Sequence, residues 1–136
     1  MASAGLALQR AIHAALAGDG VLVGLLGGPQ VFDDAPQATG FPFVTLGATT
    51  ERDWSTATED GAEHIVTLHV WSRKAGRKEA REIMEAMKGV LHDRPLAVDG
   101  HRLVNLRHEF SEARRDADGE TYHGIVRYRA VTEPAV

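Results

Sequence analysis

Apolar residues recur at helical spacing in two stretches of the chain. The first stretch, residues 3–17, begins at Ser3, a residue type that favours the N-cap of a helix, and stops at the Gly-Asp-Gly sequence of residues 18–20. Its apolar face is formed by Leu8, Ile12, Ala15 and Leu16. Residues 21–26 predict one further helical turn, which the Gly-Gly-Pro sequence of residues 27–29 ends.

The second helical stretch covers residues 77–92, directly after Gly76. Its apolar positions follow the i, i+1, i+4, i+7, i+8 spacing, while most of its charged residues fall on the other side. The apolar residues are Ile83, Met84, Met87, Val90 and Leu91. Because burying one large apolar side chain contributes roughly 1.5–3 kcal/mol, this stripe is predicted to be a main stabiliser of the fold.

Other stretches have the alternation of apolar and polar residues that is typical of half-buried strands. Residues 63–73 (EHIVTLHVWSR) give the clearest pattern, with Val66, Leu68 and Val70 on the predicted buried face. Residues 41–48 and 121–132 predict two more long strands. Residues 31–32 predict a short extended piece, followed by a loop over residues 33–40.

Turn residues divide the last third of the chain. Asp99-Gly100 separates two short apolar runs and predicts a tight hairpin with arms at residues 96–98 and 101–106, the second arm reaching residue 110 if the strand continues. Residues 116–119 (DADG) predict the turn before the last strand, and Pro134 is predicted to end that strand.

Residues 49–61 (TTERDWSTATEDG) have no periodic apolar pattern. Either this segment is a long flexible loop, or the flanking strands extend into it as a hairpin arm. Trp54 stands in this polar surrounding, where an aromatic residue is either a partner anchor or folded onto its own domain. We therefore name a candidate interface, with the segment extended and solvated in the free protein, that consists of Trp54, Glu51, Asp53, Glu59 and Asp60.

The order helix, strand, strand, helix, strands indicates an antiparallel sheet, because consecutive strands are joined by turns. The predicted fold class is α+β, an antiparallel β-sheet of about four main strands with two helices packed on one face. At 136 residues the chain has the length of one domain, so a single domain over residues 1–136 is expected.

Composition narrows the function classes. The net charge of −4 and the pI of about 5.9 argue against tight, sequence-independent DNA binding, which needs a basic surplus. The chain has no cysteine, so disulfides and thiolate metal sites are excluded. No apolar run approaches the roughly 20 residues that span a bilayer, and the amino-terminal segment is interpreted as an amphipathic helix, not a signal peptide. No membrane partner is expected.

The candidate catalytic and metal-binding residues form no known pattern. The seven histidines lack paired metal-ligand spacing, and His64 and His69 lie an odd number apart on one strand, which directs them to opposite faces. No serine lies in a Gly-x-Ser-x-Gly context, and no Lys-Ser/Thr pair follows Gly27-Gly28 as in a phosphate loop. We predict no catalytic residues, no cofactor and no metal, and therefore no enzyme.

Arg127 and Arg129 share one face of the last strand. They are interpreted either as a basic strip for DNA or an acidic partner, or as partners of glutamates on neighbouring strands such as Glu63 or Glu109. Cross-strand pairing is the favoured interpretation.

Five segments, in their order and spacing, resemble the tail-completion, or tail-terminator, family of long-tailed phages and phage-derived gene transfer agents. They are GPQVF at 28–32, FPFVTLG at 41–47 with its Thr-rich acidic continuation, HIVTLHVWSRKAG at 64–76 leading into a helix, DGH at 99–101 and TYHGIVRYRA at 121–130. Together they cover nearly the whole chain. No single segment is diagnostic, since this family has no catalytic signature.

The resemblance implies a structural virion protein of the neck, the head–tail joint, assembled in the cytoplasm of a bacterial host. Such proteins form a hexameric ring that caps the tail tube, stops its polymerisation and lets double-stranded DNA pass. The implied partners are further copies of the chain, the major tail tube protein, a head-closure or connector protein, and DNA in the lumen without specific binding. The resemblance does not decide whether the particle is a phage or a gene transfer agent. It also leaves open which face of the ring meets the head and which meets the tail.

A ring of six is physically feasible for a domain of this size. The expected radius of gyration is about 14 Å, and six touching spheres of that kind leave a hole of roughly 37 Å, wider than a DNA duplex. Two rival classes remain: another head–tail joining protein (stopper or connector) or minor tail protein, and a small-molecule-binding or enzymatic α+β domain, which needs a deep polar pocket.

Overall fold

The computed structural model describes residues 3–135. The predicted single domain also includes residues 1, 2 and 136, which lie outside the described part. In chain order the elements are α1 (Ala4–Ala17), α2 (Gly20–Leu26), β1 (Val31–Phe32), β2 (Phe43–Asp53), β3 (Ala62–Ser72), α3 (Lys78–Leu91), β4 (His101–Arg115) and β5 (Tyr122–Pro134).

The two amino-terminal helices have the predicted start and stop signals. The Ser3 side chain accepts a hydrogen bond from the Leu6 N–H at 3.2 Å, and the Asp19 carboxylate accepts one from the Leu22 N–H at 3.0 Å. Gly27 ends α2 with a φ of 75°, a left-handed conformation that glycine adopts without steric cost. Both predicted helices are therefore confirmed, the second as a helix of seven residues.

The strands form one sheet in the order β1-β2-β3-β5-β4. The β2–β3, β3–β5 and β5–β4 pairs are antiparallel, whereas β1 pairs in parallel with β2. The α+β class is confirmed, with five strands and three helices where about four strands and two helices were predicted. The additional elements are the short α2 and the two-residue β1.

One hydrophobic cluster joins the sheet to the helices, and it confirms the predicted strand face and helix stripe. Leu68 and Val70 of β3 are fully buried, as are Ile83 and Met87 of α3. Val66 and Leu91, from the same predicted face and stripe, are also buried, and so are Val126 and Tyr128 of β5. The helices pack on this face. We call the opposite face, which carries Trp71 and Arg127, the open face of the sheet.

The apolar content of the helices was also compared with that of a membrane span. Within residues 3–135, no single helix is long and apolar enough to cross a bilayer, and only the pair formed by α1 and α2, bent by 74°, reaches the required length and composition.

The predicted hairpin around Asp99-Gly100 is correct at its turn and wrong at its first arm. The His101 N–H donates to the Val98 carbonyl at 2.9 Å, and Gly100 has a φ of 75°. Residues 94–98 are not a strand, however, because β4 pairs along its inner edge with β5 instead. Val98 is buried against the core, so the apolar pattern of residues 96–98 reflects packing and not strand pairing.

The edge strand β4 is longer than predicted and runs to Arg115. Its register against β5 shifts between Leu103 and Asn105 and again between His108 and Phe110. Each bulge inserts an extra residue, so the apolar–polar alternation of the sequence is interrupted twice.

Candidate functional site: the hairpin arm

The part of the β2–β3 hairpin beyond residue 48, residues 49–66, is called the hairpin arm. The structure confirms the hairpin alternative for the segment that the sequence left open, because Thr49 to Asp53 pair with β3 as far as Ala62. Residues 48–60 are all exposed. The arm is solvated, as predicted, but its backbone is paired up to the tip instead of forming an open loop.

A β-bulge at Gly47 marks the base of the arm. Leu46 pairs with Leu68 and Thr49 with Val66, so β2 contains one extra residue between these pairs. A Cβ atom at Gly47 would lie 2.5 Å from Nε2 of His69, closer than any real contact. Glycine at this position therefore allows the bulge to form, and a bulge bends its strand where the arm begins.

Hydrogen bonds order the tip of the arm. The Trp54 N–H donates to the Gly61 carbonyl at 2.9 Å, and the Thr56 N–H donates to the Glu59 carbonyl at 2.8 Å. The Ser55 hydroxyl accepts from the Gly61 N–H at 3.1 Å. Because these bonds hold the tip without any partner molecule, the arm presents a defined surface.

Trp54 lies on the open face of the sheet, between two arginines. The guanidinium carbons of Arg52 and Arg129 are 5.4 Å and 5.2 Å from its ring centroid, within cation–π range. Its side chain remains 46% exposed. Trp54 thus has neighbours in its own chain and still offers about half of its surface to a partner.

Glu63 joins the two arginines that flank Trp54. Its carboxylate oxygens lie 2.7 Å from Nε of Arg52 and 2.6 Å from Nε of Arg129. The hydrogen bond from Arg129, together with the charge of Arg52, holds the pKa of the Glu63 carboxyl below its ordinary value. Cross-strand pairing of Arg129 is therefore confirmed. Arg127 instead stacks on Phe110, with 4.8 Å from its guanidinium carbon to the ring centroid.

The four predicted acidic interface residues are not equivalent. Asp53 accepts hydrogen bonds from the Ser55 hydroxyl at 2.5 Å and the Ser55 N–H at 3.2 Å, while Glu59 and Asp60 lie at the exposed tip. Among residues 3–135, no Lys or Arg nitrogen lies within 4.0 Å of the carboxylates of Asp53, Glu59 or Asp60. These three carboxylates are available to cations from outside the chain.

The Glu51 carboxylate lies against residues of its own chain. Its Oε1 atom would lie 2.9 Å from a Cβ atom at Gly5, in the first turn of α1, where a negative charge is favourable. The same oxygen is 3.8 Å from Nδ1 of His64. His64 is fully buried and bonds Thr132 Oγ1 through Nε2 at 2.9 Å, and burial lowers its pKa.

A histidine pair on the open face was not found from the sequence. Nδ1 of His69 and Nε2 of His123 share a hydrogen bond of 2.7 Å, and the Trp71 ring stacks on His123 with 4.0 Å between centroids. Burial lowers the pKa of both histidines. His69 does face away from His64, as predicted, but contact with His123 depends on β5 lying beside β3, a strand order that spacing does not reveal.

Of the other histidines, His13 in α1 bonds the Val31 carbonyl through Nε2 at 2.8 Å. Within residues 3–135, no three His, Cys, Asp or Glu side chains are close enough to share a metal ion.

Comparison with known proteins places this geometry in a family. The family described as tail completion protein gp17 matches residues 10–133. The chain belongs to this family. The tail completion protein gp17 of Bacillus phage SPP1 is 27% identical over 100 residues, which cover 74% of each chain. The members are structural tail completion proteins, so the prediction that the chain is not an enzyme is confirmed.

Two solved structures carry the same fold. A chain from the virion of a native gene transfer agent particle is 29% identical, with a TM-score of 0.89 over 98% of this chain and 99% of that chain. The SPP1 gp17 structure is 26% identical, with a TM-score of 0.64 over 93% of this chain and 89% of that one. The predicted tail-completion family, with phage and gene transfer agent relatives, is confirmed.

Proposed function

We propose that this tail completion protein forms a ring, of six copies, that caps the tail tube at the head–tail joint. The ring stops tail polymerisation, contacts the head-closure or connector protein and lets double-stranded DNA pass through its lumen. The observation that carries this proposal is the likeness to a chain of a gene transfer agent virion, which extends over nearly all of both chains.

The charge of the chain supports the role of a conduit. With a net charge of −4, the protein has no basic surplus with which to hold DNA phosphates, so a moving duplex is not retained. The two arginines flanking Trp54 share the carboxylate of Glu63 at 2.6–2.7 Å, which reduces their attraction for DNA.

Removing the gene tests this function. Particles assembled without the protein should have overlong tails that lack heads, visible by negative-stain electron microscopy. Supplying the wild-type gene in trans should restore joined particles. Tails of normal length on joined heads would contradict the proposal, and tails of normal length without heads would favour the alternative role of a stopper or connector.

We also propose that Trp54 anchors the hairpin arm to another subunit in the particle. About half of its surface is exposed, and three carboxylates without a Lys or Arg partner, those of Asp53, Glu59 and Asp60, lie on the same exposed end of the arm. Trp54→Ala should change the melting temperature of the isolated domain little, yet lower the yield of joined particles by about tenfold or more, as for an interface hot spot.

The matched control for Trp54→Ala is Val21→Ala, since Val21 is also apolar and 69% exposed but lies on α2, far along the chain from the arm. This variant should leave both stability and particle yield unchanged. If Trp54→Ala unfolds the domain while any folded protein assembles normally, Trp54 is a packing residue of its own chain and the interface role is wrong.

A further inference from the structure

Both lateral edges of the sheet are open. At one edge, β1 pairs only with Val44 and Thr45, so the rest of β2, including the arm, has no outer strand within residues 3–135. At the other edge, among residues 3–135, the segment after α3 reaches the middle of β4 through the Asp93 N–H on the Leu106 carbonyl and through His92 Nδ1, which accepts from the His108 N–H. Long exposed edges are usually covered, because their unpaired backbone groups attract another chain.

The two edges carry opposite charge. The arm has five carboxylates and one arginine, and that arginine is bound to Glu63. The strand β4 has four arginines and two glutamates. Arg107 and Arg114 have side chains that are 60% and 55% exposed, with carboxylates no nearer than 3.7 Å and 3.9 Å.

Exposed apolar groups accompany the charges on both edges. Trp54 is the large apolar residue of the arm, and Phe110, 38% exposed, is its counterpart on β4. Arg127 of β5 lies over the Phe110 ring and, within residues 3–135, has no carboxylate within 4.0 Å. We call Arg107, Phe110, Arg114 and Arg127 the β4 strip.

Within one chain the free carboxylates of the arm do not reach the arginines of the β4 strip, since among residues 3–135 no Lys or Arg nitrogen lies within 4.0 Å of Asp53, Glu59 or Asp60. The backbones of β2 and β4 are about 14 Å apart at the usual strand spacing, because β3 and β5 lie between them. A contact that pairs these carboxylates with the β4 strip therefore joins two copies. Such a contact is heterologous, because each copy uses its arm toward one neighbour and its β4 strip toward the other. Heterologous contacts generate a ring when the rotation from copy to copy closes on itself.

We propose that the hairpin arm of one copy docks on the β4 strip of the next copy. Trp54 lies against the Phe110 region, and Asp53, Glu59 and Asp60 pair with Arg107, Arg114 and Arg127. This inference rests on the proposed self-association and identifies its surfaces. A second copy fits the strip better than DNA does, because Glu109 and Glu112 interrupt the positive charge that a row of phosphates requires.

A charge swap tests the contact. The arm variant is Glu59→Lys with Asp60→Lys, the strip variant is Arg107→Glu with Arg114→Glu, and the swap variant carries all four changes. Each half variant should lower the amount of protein retained in purified particles by about tenfold or more, since close attraction becomes repulsion. The swap variant should return to within about threefold of wild type, because every interface contains one reversed arm and one reversed strip.

The control is Lys78→Glu with Arg81→Glu, which makes the same charge change on the exposed side of α3. It should be retained like wild type. Retention of the swap variant no better than that of the half variants overturns the proposal. So does loss in the strip variant alone, which would assign the strip to DNA or to another protein.

Cross-linking separates this contact from the proposed function. The chain has no cysteine, so Glu59→Cys with Arg114→Cys introduces the only thiols. Treating producing cells' lysates with a bismaleimide should give covalent oligomers from the pair variant and none beyond dimers from either single variant. Oligomers together with normal tails in the gene deletion would refute the capping role and retain the contact. Absence of oligomers from the pair variant would refute the contact.

Discussion

Truncating Leu68 measures how strongly the sheet is held to the helices. Leu68 is fully buried in the middle of β3, in the cluster that includes Ile83 and Met87. Leu68→Ala removes three carbon atoms, which at about 0.8 kcal/mol each gives about 2.4 kcal/mol of lost burial. A residual cavity adds to this, so a total of about 3–4 kcal/mol is expected, within the usual range of about 2–5 kcal/mol.

The assay is thermal and urea unfolding of the purified protein, followed by circular dichroism. For a chain of this length, a loss of about 3 kcal/mol lowers the melting temperature by roughly 10 °C. The urea midpoint should fall while the m-value stays constant. The control is Ile65→Ala on the same strand, since Ile65 lies on the open face and is only partly buried. Equal losses in the two variants, or none for Leu68→Ala, would refute the assigned strand faces.

Three further predictions concern single groups. The Tyr128 hydroxyl is buried without a protein partner among residues 3–135, and burial raises its pKa, so Tyr128→Phe should leave the free energy of unfolding unchanged or raise it by up to about 1 kcal/mol in urea titrations. Gly47→Ala should lower the free energy of unfolding by about 1–3 kcal/mol, because the added Cβ meets the His69 ring. Its control, Gly24→Ala in α2, has open space around the new Cβ and should raise the stability. Equal effects of the two variants in calorimetry would show that the bulge does not require glycine at position 47. Burial lowers the pKa of His64, so the unfolded chain binds the proton first and stability should fall as pH drops below about 6.5; a flat dependence between pH 7.5 and 5 would contradict this.

The sequence predicts those parts of the fold that depend on local periodicity. The stripe of α3 and the alternation of β3 identify buried faces because each element packs against a single core. The Asp99-Gly100 turn was also predictable, since its backbone conformation is set by the residues themselves. Strand order was not, because β5 pairs between β3 and β4 through contacts between residues far apart in the sequence.

In the candidate site, too, the features that depend on local sequence were predictable and those that depend on long-range contacts were not. The sequence identifies Trp54 and its acidic neighbours as unusual, and the structure places them on an ordered arm. It could not reveal that Arg129, 75 positions along the chain from Trp54, lies on the indole ring, or that Arg127 of β5 lies over Phe110 of the edge strand β4. Those neighbours depend on the bulge at Gly47 and on the sheet order, both of which are tertiary features.

The central claim is tested most directly by a cryo-electron microscopy reconstruction of the neck of the particle that contains this protein. We predict one ring of six copies on the last ring of the tail tube, with an open lumen wide enough for a DNA duplex. A different copy number, or a neck with no ring of this protein at the end of the tube, would contradict the account.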